Sequence, residues 1–321
     1  MVWLYIAIVL VMRIFQSVFN KINAKAVPKN TIAYLKYNIF YFGIASACAL
    51  LLYLVELVGS EITVVNFGET LFYAIASGVG LAVACSCSLY ALTSGTIVLD
   101  SLFGTAGLLV PAIASIFLYQ EILTIWQWLF IVIFFIGAYL LVGNSKQIYG
   151  KFSLKTLLVL ITSLLMNGLT MLMQTMFSRN VENGSTSLFS VLSFLSGVIL
   201  LGVLLIILTI VYKMKDDKQS GQASFEEFTL FPLKETDKVI PKKNLFYALI
   251  LAFAVFVINQ LATISANLIS PVILFAFING GATIISALVG VFLFKEKLNI
   301  KGIIGIVIGI GSLLLIKLLG V

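Results

Sequence analysis

Long apolar blocks alternate with short polar breaks along the whole chain. At a helical rise of about 1.5 Å per residue, about twenty residues cross the ~30 Å hydrocarbon layer of a bilayer. Ten blocks reach that length. The first five are Val2–Ile22, Thr31–Leu57, Thr70–Leu92, Thr96–Tyr119 and Thr124–Val142. The second five are Leu154–Phe177, Ser187–Tyr212, Asn244–Asn267, Pro271–Phe294 and Ile300–Leu319. Polar pairs such as Lys29-Asn30 and Gly143-Asn144 punctuate them. One connection differs. Residues 213–243 are charged, mixed in sign, and read as a solvated linker. Phe225, Phe228 and Phe231 recur there at three-residue spacing, so a short interfacial helix is the alternative. The pattern predicts an all-α membrane protein of about ten transmembrane helices, with the lipid bilayer as its main partner.

Composition agrees. Of the 321 residues, 61% are apolar and only 10% charged, and the mean hydropathy is +1.14. A soluble domain carries roughly 25% charged residues. The formal charge of +7 invites a nucleic-acid reading, but the lysines sit in short loops between apolar runs, so no nucleic-acid partner is expected. At the N-terminus, Ala24-Lys25-Ala26 resembles a cleavage site. No basic residue precedes the apolar run, however, and the run is too long for a signal core, so it reads as a permanent span. Cys85 and Cys87 point to different faces of their helix. With no histidine in the chain, no metal site, disulfide or cofactor is expected.

Charge also sets the expected orientation. Of the 20 lysines and arginines, all but Arg13, Arg179 and Lys317 fall on the side of the linker. Positive residues stay cytoplasmic. The linker is therefore expected in the cytoplasm and both termini outside.

The chain overlays itself. A shift of 175 matches Phe117-Leu118-Tyr119-Gln120-Glu121-Ile122-Leu123 with Phe292-Leu293-Phe294-Lys295-Glu296-Lys297-Leu298, and Ile131-Val132-Ile133 with Ile306-Val307-Ile308. A shift of 154 matches Leu10 with Leu164, Met12 with Met166, Gln16 with Thr170 and Asn20 with Gln174. Two five-helix repeats result, residues 1–146 and 147–321. Five is odd, so the halves are expected to be inverted relative to each other, as in transporters whose site lies where the halves meet.

At these residues the chain resembles the drug/metabolite transporter superfamily, in particular its ten-helix EamA-type members. The likeness rests on Leu109-Val110-Pro111, the loops around Glu121 and Glu296, the following Ile136-Gly137 and Ile310-Gly311, and Tyr90-Ala91-Leu92. The resemblance implies a membrane carrier fold and leaves the substrate open. Two features depart from the family: Gln120 and Lys295 stand where a glycine usually precedes the loop glutamate, and many members keep both termini in the cytoplasm. The lysine-containing fourth-helix motifs of nucleotide-sugar transporters are not visible.

Arg13 is the only basic residue deep in a span, and Asp100 the only acid well inside one. A charge in hydrocarbon costs at least ~2.5–3.5 kcal/mol on insertion scales, so such residues face the bundle interior. The expectation is that Arg13 and Asp100 either pair as a fixed helix lock or jointly hold a substrate. Arg13, Gln16 and Asn20 share one helix face, and Asn167, Thr170 and Gln174 repeat that stripe. Such stripes serve interhelical hydrogen bonding or line a central cavity. Asn259, Gln260, Thr263, Asn267 and Asn279 add uncharged polar groups, and Tyr34, Tyr37 and Tyr90 are further lining candidates. Gly305 and Gly309 on the last span suit packing within the chain or a homodimer contact. Pro111 and Pro271 are candidate hinges.

A secondary transporter of a small-molecule substrate is therefore the leading expectation: a small polar metabolite, zwitterionic or anionic, such as an amino acid. A nucleotide-sugar or sugar exchanger of the same superfamily and a non-transporting membrane protein are the alternatives. An enzyme is not expected, because no nucleophile-with-base arrangement is present. No Walker-type phosphate loop appears either.

Overall fold

The computed structural model describes residues 1–27, 31–59, 66–94, 103–120, 124–142, 154–216, 242–295 and 300–319. Among these residues the protein is all-helical, with no strand. Inside lipid every backbone N–H and C=O must be satisfied within the chain, and the helix does this locally.

The helices follow in order: α1 Val2–Ala26, α2 Thr31–Gly59, α3 Phe67–Ser94, α4 Leu109–Tyr119 and α5 Ile125–Val142. Then come α6 Leu154–Asn180, α7 Thr186–Asp216 and α8 Lys242–Ser265. The next, α9, is composite: Pro271–Phe275, a π-helical turn at Ala276–Gly280, then Gly281–Phe294. The last is α10, Ile300–Leu319. Among the described residues, seven helices are long and apolar enough to cross a membrane, and Phe103–Tyr119, Ile125–Gly137 and Ile300–Ser312 are shorter apolar helices. The protein is thus an all-α membrane protein.

Several ends differ from the hydropathy reading. Helix α1 runs through Lys25 to Ala26 and stops at Val27, whose extended ψ of 126° is the conformation forced on a residue before proline, here Pro28. Helix α7 continues past the expected linker start at Lys213 to Asp216. Hydropathy stops at the first lysines, whereas backbone hydrogen bonding continues past them. Conversely, α8 ends at Ser265, before the expected Asn267. Residues 217–241 of the linker and the loop glutamates Glu121 and Glu296 lie outside the described residues.

Helix α4 ends at Gln120 and the last part of α9 at Lys295, and both caps are left-handed (φ 53°). The N–H of Gln120 donates to the carbonyl of Ser115, and that of Lys295 to the carbonyl of Gly290. These are the same bond at positions 175 apart. Exposure matches too: Phe117 is 79% and Phe292 77% exposed, and Ile125 75% and Ile300 76%.

Helix packing shows a regular exchange. Helix α3 packs on α6 as α8 packs on α1, α3 on α7 as α8 on α2, and α4 on α6 as α9 on α1. The pairs α2–α7, α4–α9 and α5–α10 map onto themselves when α1–α5 are exchanged for α6–α10. Small residues set the close crossings. A Cβ on Gly78 of α3 would fall 1.9 Å from the carbonyl oxygen of Ser193 of α7. A Cβ on Gly137 of α5 would meet the Gly305 oxygen and the Gly309 nitrogen of α10 at 3.0 Å. Gly305 and Gly309 therefore pack within the chain, and the outer face of α10 presents Ile303, Ile304, Val307 and Ile310. The main core, around Phe42, Ala45, Ala49, Ala82, Phe194, Leu201 and Ala252, joins α2, α3, α7 and α8.

Candidate functional site

Polar faces of α1, α3, α6, α8 and α9 converge on a cavity of about 220 Å³. From α1 come Arg13, Gln16, Ser17 and Asn20, at the helical spacing that puts them on one face. From α6 come Asn167, Thr170 and Gln174, with Asn259 from α8 and Asn279 from α9. The two polar stripes, which a greasy helix must turn away from lipid, thus face each other across one space.

Arg13 is held by neutral groups. Its Nη1 donates to Oε1 of Gln16 at 2.6 Å, one helical turn along α1. Its Nη2 donates to Oδ1 of Asn279 at 3.2 Å. Its Nε is buried and lacks a hydrogen-bond partner. Arg13 is the sole charged residue among the described lining residues. The expected partner Asp100 lies outside the described residues.

Asn279 occupies the π-helical turn. A π turn inserts an extra residue and disturbs the regular carbonyl pattern, and such turns are frequent at functional sites. The Asn279 carbonyl accepts hydrogen bonds from Thr105 Oγ1 (3.4 Å) and Thr283 Oγ1 (3.1 Å), while its Nδ2 donates to Sδ of Met171 at 3.2 Å. Across the cavity, Nδ2 of Asn167 donates to the carbonyl of Gly104 at 2.8 Å. Residues 13 and 167 are related by the shift of 154, and residues 104 and 279 by the shift of 175. Repeat-equivalent positions therefore meet twice, once through a guanidinium on a side-chain amide oxygen and once through an amide on a backbone carbonyl. Nε2 of Gln174 donates to Oδ1 of Asn259 at 2.8 Å, and Ser17 Oγ to Ser286 Oγ at 3.2 Å.

Six expected candidates are outside the cavity lining: Asn267, Tyr90, Tyr34, Tyr37, Gln260 and Thr263. Asn267 is exposed on the turn after α8, because that helix closes at Ser265 with the N–H of Leu268 bonded back to the Ser265 carbonyl. Tyr90 is half-buried on α3, outside the cavity lining. Tyr34 and Tyr37 are buried with Val27 and Ala248 in a separate cluster, and Tyr41, one turn further on the same face, reaches the cavity instead. Cys85 lines the cavity while Cys87 does not. Sequence reasoning missed Tyr41, Cys85, Thr105 and Thr283. For Tyr41 the signal was its i+4 spacing from Tyr37; for Thr283, its i+4 spacing from Asn279.

Gln260 belongs to a different network. Its Nε2 donates to Oγ1 of Thr186 (2.9 Å) and Oγ of Ser187 (3.2 Å), and Ser190 Oγ donates to its Oε1 at 2.7 Å. Ser187 also donates to Glu56 at 2.5 Å, with Ser185 Oγ donating to the second carboxylate oxygen at 3.4 Å. This network ties the end of α2 to the start of α7 and to α8.

No protein-family model matches the chain, and no curated protein does. A solved crystal structure of another protein superimposes with a TM-score of 0.68 over 98% of this chain and 96% of its own, at 14% identity. At that identity the likeness concerns the fold alone.

Proposed function

We propose that the chain is a secondary carrier. It moves a small polar metabolite across the cell membrane by alternating access, using two inverted five-helix repeats, residues 1–146 and 147–321. The observation that carries this reading is the paired contact Arg13–Asn279 and Asn167–Gly104, at repeat-equivalent positions on one polar cavity. Two similar halves that enclose a site can exchange conformations and expose it to alternate sides. The exchange symmetry of the packing and the matched left-handed caps support ten spans in two repeats. The charge distribution supports a cytoplasmic linker and external termini.

The cavity of about 220 Å³ is below the ~300–1,000 Å³ usual for drug-sized ligands, which favours a small metabolite over a nucleotide-sugar. A homodimer through the last helix would use its outer face at Ile303 and Val307. The test is uptake into liposomes containing the purified protein. A carrier gives saturable uptake that is stimulated by counter-flow. Linear, unsaturable flux would indicate a channel, and no flux for any of a broad set of metabolites would favour a non-transporting protein.

A further inference from the structure

We infer that the cavity takes a small organic monoanion, with the ligand's carboxylate seated on Arg13; this deepens the carrier reading and rests on it. Three observations lead here. First, a guanidinium has five N–H donors, and among the described residues only two of those of Arg13 meet protein acceptors, with Nε buried and unpartnered there. Second, the two acceptors are neutral amide oxygens. They hold the guanidinium in position without themselves cancelling its charge, so an anion is attracted to it, and a carboxylate matches the planar fork. Third, among the described lining residues no carboxylate stands opposite to receive a ligand ammonium. The remaining lining is hydroxyl and amide: Ser17, Asn20, Thr170, Gln174 and Asn259 suit a polar, uncharged remainder. One fixed positive charge calls for one negative charge. The cavity of about 220 Å³ suits a small ligand.

Cys85 supplies a reporter that needs no knowledge of the substrate, because it lines the same cavity. In the C48S/C87S protein, the reaction of Cys85 with an anionic methanethiosulfonate (ethylsulfonate) is compared with that of its cationic trimethylammonium counterpart. The expected result is at least tenfold faster reaction of the anionic reagent after correction for their rates with free thiol, parity in R13Q, and retained preference in R13K. Equal rates for the two reagents, or a preference that survives R13Q, would overturn the anion site, as would no reaction at all. If R13Q does not fold, the rate ratio in the Arg13 protein still decides, since parity there overturns the site. Competition then fixes the chemistry: propionate should slow labelling at concentrations where propionamide and inorganic phosphate do not. Protection by propionamide or by phosphate alone, or no protection by propionate, would overturn the carboxylate assignment. Labelling is independent of transport. An anion preference without counter-flow uptake would therefore remove the carrier and keep the site, and counter-flow of a neutral solute undiminished in R13Q would do the reverse.

Discussion

Nη2 of Arg13 lies 3.2 Å from Oδ1 of Asn279, joining the first helix to the π-helical turn of α9 across most of the chain length. The contact ties the one charge among the described lining residues to the π-helical turn in the cavity wall. A change at Asn279 therefore alters both the anchor and the backbone that presents it.

The first prediction concerns that contact. Asn279→Asp puts a carboxylate where the amide oxygen now sits. An intramembrane pair of opposite charges is favoured over a lone charge, and a hydrogen bond to a charged group is worth about 1.5–3 kcal/mol. The melting temperature in detergent should rise, while the preference of Cys85 for anionic reagents should disappear. A variant that keeps the preference would show that the charge of Arg13 does not set the potential of the cavity.

Gln174→Leu separates lining from packing. Interhelical hydrogen bonds within membranes average about 0.6 kcal/mol, so losing the Gln174–Asn259 bond should barely lower the melting temperature. Uptake should fall at least tenfold if the pair faces substrate. Equal small effects on both measurements would make the bond purely structural.

Gln120→Gly and Lys295→Gly should each stabilise the protein. Both residues hold left-handed backbone, which costs an L residue about 1–2 kcal/mol and glycine little. The cap bonds are the same, so thermal melts should show two shifts of similar size. Opposite signs would mean that the two caps are not equivalent.

Gly78→Ala and Gly202→Ala should diverge. At Gly78 the new methyl would collide with the Ser193 carbonyl, a backbone atom that moves only with α7. Overpacking of this kind costs about 1–3 kcal/mol. At Gly202 nothing lies within 4 Å, and Ala favours helix over Gly by about 1 kcal/mol. Melting temperatures should drop for the first and hold or rise for the second.

Hydropathy placed the long apolar helices among the described residues, because lipid leaves the backbone one local way to bond itself, and that choice is written in each apolar run. The polar stripes on α1 and α6 were legible for the same reason: a helix face is a matter of spacing along one segment. The internal match of residues 117–123 with 292–298 paired Gln120 with Lys295, whose common left-handed cap is a finding of the structure. Tertiary structure decided the rest, since it depends on which segments meet. It turned α8 off before Asn267, leaving that side chain exposed, and brought Tyr41 to the cavity while Tyr34 and Tyr37 pack elsewhere. It also placed Gly137 against Gly305 and Gly309, and it inserted the π turn that carries Asn279 to Arg13. A helix face is fixed by 3.6 residues per turn, but its partner is fixed by the packing of residues hundreds of positions away, and no local pattern records that.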